Sequence, residues 1–208
     1  MNAQVAQNLA TNLRYAASYN GLTDFDPRIQ TGLPVLLPAA FLIKIFGATS
    51  ESVLMVNAFY LILLAFSMFY YLRNCVGVDD LFLIPGIVFL YGTPQIFSAG
   101  MGFLGEIPAL FYLMLVLIFL HNYEKDPNAK YLFIAGICLG LAILVKTVML
   151  IAIPAILFAA LFDVLVKKRM PIVQYIQHDV LMAIGAGLPS LFFEIFKLVS
   201  LGTAGYVA

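Results

Sequence analysis

The chain has 208 residues, 63% of them hydrophobic and only 11% charged, and its formal net charge is zero. A soluble domain carries about 25% charge, so this composition excludes an ordinary soluble globular protein and points to a multi-pass integral membrane protein. The neutral balance leaves no electrostatic footprint for nucleic acid, and Cys75 and Cys138 offer neither metal spacing nor a disulfide framework.

Met1 to Tyr19 reads as a helix with Val5, Leu9, Leu13 and Ala16 or Ala17 on one face. It is polar elsewhere and lacks the apolar core of a signal peptide. Such a helix lies on a membrane surface or packs against a bundle. Asn20-Gly21 is a turn signal, and Thr23 to Gly32 is a loop carrying Asp24, Asp26 and Arg28. Leu33 to Phe46 is apolar but short, and holds Pro34 and Pro38. Its length predicts about 21 Å of helix against a hydrocarbon core of about 30 Å, so it is expected to be re-entrant or interfacial.

Six spans are expected after that. They are Val53 to Leu72, Leu81 to Ser98 (bent at Pro85 and Pro94), Pro108 to Asn122, Tyr131 to Val145, Val148 to Val166 and Val180 to Leu198. Ser50-Glu51 is the expected cap of the first. Gly136 and Gly140 form a small-xxx-small pair that favours close helix approach. Met170 to Asp179 is amphipathic and expected at the interface. The predicted fold class is all-α, a multi-pass transmembrane helical bundle with juxtamembrane interfacial helices. Residues 1–49 form the juxtamembrane region and residues 50–208 the bundle.

One acid stands out. Glu106 lies between two long apolar runs, after Gly100, Gly102 and Gly105 and just before Pro108. The glycines suit a tight turn and the proline suits the first turn of a helix. Glu106 is therefore expected at a helix N-terminus, where it either complements the helix dipole or serves a membrane-embedded pocket. Lys146 interrupts another apolar run, as a snorkelling lysine or as a phosphate partner. Glu194 and Lys197 are spaced to pair on a helix, which favours a structural role. His121 is expected at a span end and His178 in the interfacial segment away from the site, both facing headgroups or solvent. Nothing in the sequence requires a metal, although Glu106, an aspartate and a phosphate are compatible with a divalent ion.

Alternating loops place Arg73, Lys125, Lys130, Lys167, Lys168 and Arg169 on one side and Arg14, Arg28, Lys44, Lys146 and Lys197 on the other. The run Lys167-Lys168-Arg169 directly beside a span assigns its side to the cytoplasm. The N-terminal segment, the aspartate loop, Glu106 and Lys146 then share the outer face. An N-terminal segment on that face needs a membrane span upstream of it, so the chain is expected to begin inside a larger protein.

Four stretches carry a family resemblance: Phe25-Asp-Pro-Arg-Ile-Gln-Thr-Gly-Leu-Pro-Val-Leu-Leu-Pro38, Phe41-Leu-Ile-Lys-Ile-Phe-Gly47, Met101-Gly-Phe-Leu-Gly-Glu-Ile-Pro-Ala-Leu-Phe111 and Ala135-Gly-Ile-Cys-Leu-Gly-Leu-Ala-Ile-Leu-Val-Lys-Thr147. In this order they resemble the polytopic glycosyltransferases of the GT-C superfamily, of the dolichyl-phosphate-mannose–protein mannosyltransferase and aminoarabinose transferase type. The resemblance implies transfer of a hexose or pentose from a polyprenyl-phosphate carrier to a glycan, lipid or protein acceptor on the outer face of a plasma or inner membrane. It implies a catalytic role for Glu106 and substrate binding by Lys146; Asp24 and Asp26 join as catalytic candidates and Arg28 as a substrate-binding one because their loop is expected on the same face. The family's first span and the acid after it have no counterpart here, nor do its later spans, so the chain looks like the N-terminal core of such an enzyme. The competing expectation is a non-catalytic membrane protein, either a transporter fragment or a lipid-binding remnant. A transporter would spread its charges along a path through the bundle. A transferase would gather Glu106, Lys146 and the aspartate loop at one face.

Overall fold

A computed structural model of the chain describes residues 2–16, 24–26, 29, 31–102, 105–165 and 171–207. These residues form a helical bundle and contain no strand. In chain order the helices are α1 (Asn2–Asn12), α2 (Leu33–Phe46), α3 (Ser50–Tyr70), α4 (Asp80–Tyr91), α5 (Pro94–Met101), α6 (Glu106–Lys125), α7 (Ala129–Val145), α8 (Ala152–Leu165) and α9 (Ile172–Val207). A π-helical turn, Tyr71–Val76, extends α3, and a 3-10 turn, Thr147–Ile151, leads into α8.

Among the described residues three helical stretches are long and apolar enough to cross a membrane: Ser50–Val76, Glu106–Lys125 and Ile176–Thr203. A fourth span arises if α4 and α5 count as one element bent by 64°. The break follows from sequence chemistry. Gly92 and Thr93 end α4, and Pro94, which cannot continue the hydrogen-bond ladder of the preceding helix, opens α5. Pro85 is carried inside α4. The helices at the expected fourth and fifth spans are shorter apolar helices: α7 runs two residues beyond the expected bounds, and α8 falls short of them. The 17 residues of α7 rise about 26 Å, and the 14 of α8 about 21 Å.

Four element boundaries depart from expectation. Helix α1 stops at Asn12, and Leu13 is exposed at positive φ instead of joining the buried face of Val5, Ala6 and Leu9. Thr49, not Ser50 or Glu51, caps α3 by accepting from the Ser52 N–H. Asn74 and Cys75, beyond the expected end of the first span at Leu72, belong to the π-helical turn. Residues 172–179 do not form a separate interfacial element but continue directly into the last span. Ala17, Arg28 and the Lys167-Lys168-Arg169 run lie outside the described residues.

Two apolar clusters hold the bundle. One gathers α1, α2, α3, the first turn of α6 and Val145 at the end of α7. The other joins α6, α7, α8 and α9 around Val116, Leu139 and Met182. Helix α7 is the hub, packed between α6 and α9. At its contact with α9, a Cβ added to Gly136 or Gly140 would overlap the carbonyls of Met182 or Ala186. The small-xxx-small pair thus brings two backbones into direct contact.

Candidate functional site

The site is built where three chain breaks meet at one end of the bundle. Gly105 precedes α6 with φ 86, a left-handed conformation that glycine adopts without strain. A Cβ there would sit 3.1 Å from Val145 Cγ1 and 3.4 Å from Thr31 Cγ2. The next residue, Glu106, is the first of α6, and Pro108 lies within the first turn, as expected. Helix α7 ends at Val145, and Lys146 follows in extended conformation before the 3-10 turn. The third break is Thr31-Gly32, which packs so tightly that a Cβ on Gly32 would overlap the Leu144 carbonyl.

These breaks bring Glu106 and Lys146 together across 40 positions of sequence. Lys146 Nζ donates to Glu106 Oε1 at 2.6 Å. The pair is partly open, with 23% of the lysine and 37% of the glutamate side chain exposed. Glu106 Oε2 is buried and has no hydrogen-bond partner among the described residues. One carboxylate oxygen is thus anchored, and the other keeps unused acceptor capacity. An acceptor left in that state is costly, and a ligand O–H or N–H donor would relieve it.

The aspartate loop reaches this site through its last residues. Thr31 is buried, accepts at Oγ1 from Asn2 Nδ2 at 2.8 Å, and accepts at its carbonyl from Tyr15 Oη at 3.0 Å. Burial pushes the Tyr15 phenol well above its ordinary range, so it remains a donor. Earlier in the loop, Asp24 Oδ2 takes Arg14 Nε at 3.1 Å and its terminal nitrogen at 2.9 Å. A single antiparallel pairing links Ala16 to Asp24. Phe25 stacks on Tyr15 with 5.0 Å between centroids and meets Phe193 and Phe196 of α9 edge-on. Asp26 accepts from the Ile29 N–H at its carbonyl. Asp24 is therefore engaged by Arg14, whereas Glu106 is engaged by Lys146. Arg28 lies outside the described residues.

An apolar groove of about 410 Å³ runs beside the site between α2, α6, α7 and α9. Its wall includes Leu33, next to Gly32, and Leu144, two positions before Lys146, with Leu37, Tyr112, Leu188 and Phe192 further along. Tyr112 is fixed through Tyr60, whose hydroxyl donates to the Pro34 carbonyl at 2.8 Å and lies 3.1 Å from the Tyr112 hydroxyl.

Other singled-out groups lie elsewhere. Glu194 and Lys197 pair at 2.6 Å, and Tyr206 donates to Glu194 at 2.7 Å across the Gly202 kink. His178 is not solvated alone but meets the Tyr123 hydroxyl at 2.8 Å, at the end opposite Glu106. His121 Nε2 is buried without a hydrogen-bond partner among the described residues, so this histidine does not face solvent or headgroups through that atom. Among the described residues no three His, Cys, Asp or Glu side chains converge on one point. Thr31, Gly32, Tyr15 and Asn2 carry no sequence signal of a role, because each acts only through long-range contacts.

Residues 34–184 match the protein family described as dolichyl-phosphate-mannose-protein mannosyltransferase. No curated protein and no solved structure matches the chain. The matched segment contains both Glu106 and Lys146 and covers more than half of the chain. The chain therefore belongs to the dolichyl-phosphate-mannose-protein mannosyltransferase family, membrane glycosyltransferases of the GT-C type.

Proposed function

We propose that the chain transfers a hexose or pentose from a polyprenyl-phosphate carrier to an acceptor hydroxyl or amine on the outer face of the membrane, with Glu106 as general base and Lys146 at the carrier phosphate. The observation that carries this reading is the divided carboxylate of Glu106, with Oε1 held by Lys146 and Oε2 buried without a hydrogen-bond partner among the described residues. An acceptor O–H or N–H at Oε2 gives up its proton as the acceptor bonds to the anomeric carbon. The bond from that carbon to the phosphate oxygen breaks, and polyprenyl phosphate leaves. A positioned base contributes about 10²–10⁴-fold. The Lys146 ammonium offsets charge that grows on the leaving phosphate. The apolar groove ending at Leu33 and Leu144 offers the carrier's isoprenoid chain a lining without charge.

The acceptor is a glycan, lipid or protein. The outer-face assignment rests on the cationic run at residues 167–169, which marks the other end as cytoplasmic. Asp24 shows the same division, with Oδ2 held by Arg14 and Oδ1 buried without a hydrogen-bond partner among the described residues. Glu106 is taken as the principal acid because Lys146 stands beside it, with Asp24, Asp26 and Arg28 as secondary candidates.

The test is binding of undecaprenyl phosphate, without sugar, to the detergent-solubilised chain. Lys146→Met is expected to weaken binding about tenfold, or about 1.4 kcal/mol, with Lys146→Arg recovering most of it. Glu106→Gln is expected to leave binding within about threefold, because the amide oxygen still accepts from Lys146. Equal binding by Lys146→Met and the parent would contradict the phosphate role.

A further inference from the structure

We infer that Asn57 is a positioning residue, the clamp that fixes the turn carrying Glu106. This inference rests on the reading of Glu106 given above. Asn57 lies in α3 within the span Ser50–Val76 and is 1% exposed. A buried amide in an apolar span is costly unless its hydrogen bonds are made; here the NH₂ group is satisfied, while Oδ1 has no hydrogen-bond partner among the described residues. Its Nδ2 donates to two backbone carbonyls 43 and 45 positions away, Gly100 O at 3.1 Å and Gly102 O at 2.6 Å. Those carbonyls belong to the last turn of α5 and its cap, where a helix leaves acceptors without intrahelical partners. One NH₂ group supplies one proton to each.

The neighbouring contacts lock the same joint. Leu61, one helical turn along α3, fills the space where Gly100 would carry a Cβ, 2.9 Å away. The Tyr91 hydroxyl donates to the Leu61 carbonyl at 2.8 Å, tying α4 to the same face. After Gly102 the chain has only three residues before Glu106, and the last of them, Gly105, is held between Val145 and Thr31. The turn is thus gripped at both ends, by Asn57 upstream and by the Val145–Thr31 cleft downstream. Loss of the upstream grip frees the start of α6 to shift, and with it the carboxylate that meets Lys146. Aspartate at position 57 has nearly the same shape but no NH₂ group; buried between two carbonyls it takes a proton and keeps a single O–H donor, so at least one of the two hydrogen bonds is lost.

The experiment measures the Glu106–Lys146 separation directly and needs no substrate. In a full-length chain with Cys75→Ala, Cys138→Ala, Glu106→Cys and Lys146→Cys, a short bifunctional methanethiosulfonate reagent bridges the two positions. The bridging rate is compared among Asn57, Asn57→Asp and Leu61→Ala chains, with thermal melting in detergent followed in parallel. Asn57→Asp is expected to slow bridging at least fivefold. Leu61→Ala, which loses packing at the same joint but keeps the amide, is expected to bridge within twofold of the parent even where its Tm falls. Bridging by Asn57→Asp at the parent rate overturns the inference, as does a rate that simply follows Tm across both variants. If Asn57→Asp yields no folded protein, Asn57→Gln and Asn57→Met, equal in shape and differing in donors, replace it. Faster bridging by Gln supports the clamp, and equal rates overturn it. Because bridging is independent of turnover, the clamp and the catalytic reading of Glu106 fail separately.

Discussion

Glu106 and Lys146 were conspicuous as single residues because each interrupts an apolar run, and the cost of an isolated charge in hydrocarbon demands a partner. They are each other's partner at 2.6 Å. The sequence placed both at one end of the bundle but carried no signal of direct contact, since the contact depends on Gly32 docking on Leu144 and Gly105 on Thr31. The arginine that engages Asp24 was equally invisible, because it comes from an irregular segment where a continuous helix was expected. Two outcomes follow at this scale. Asp24→Asn is expected to lower turnover no more than about threefold, and to cost at most about 1 kcal/mol of stability given the exposed arginine. Its kcat and Tm in detergent check this. Gly105→Ala combines a left-handed backbone with a crowded Cβ and is expected to cost about 1–3 kcal/mol, measured as a loss of thermal stability with slower turnover.

At the scale of elements, apolar runs and punctuation located most helices. Helix α2 has the predicted bounds, since Pro34 belongs in a first turn and Gly47 ends the helix. The end of α1 and the joining of residues 172–179 to the last span were less legible. Amphipathic periodicity shows where a helix is allowed, not where tertiary contacts stop or extend it. The glycines of α7 and α9 divide by contact rather than by sequence. Gly136 and Gly140 press on the α9 backbone, and Gly185 of α9 presses on Phe133 and Ile137 of α7. Gly187, only two positions beyond Gly185, faces open space. Gly136→Leu is therefore expected to separate α7 from α9 and lower Tm strongly. Gly187→Ala is expected to be neutral or to stabilise by up to about 1 kcal/mol through helix propensity. Equal losses in the two variants would contradict the close-packed seam.

For the whole molecule, composition alone points to an all-α membrane bundle. Among the described residues three helical stretches are long and apolar enough to cross, or four with the bent α4–α5 pair, while α7 and α8, at the expected fourth and fifth spans, are shorter apolar helices. The chain nevertheless sorts its polar joints. Arg73–Asp80, the Lys125 contact with Asn74 and the Tyr123–His178 pair share one end, and Glu106, Lys146 and Thr31 share the other. Sidedness is checked by labelling single cysteines in vesicles of known orientation. Asn128→Cys is expected to react only from the cytoplasmic side and Ala48→Cys only from the outer side.

The most direct test of the account is release of polyprenyl phosphate from a panel of polyprenyl-phospho-hexoses and -pentoses, with glycan, lipid and peptide acceptors present to take the sugar, by the chain reconstituted in lipid vesicles, parent against Glu106→Gln. The account predicts release from at least one donor in the panel, slowed about 10²–10⁴-fold by Glu106→Gln with undecaprenyl phosphate binding retained. Release at the parent rate by Glu106→Gln, or no release from any donor by a parent chain that binds the carrier, would contradict it.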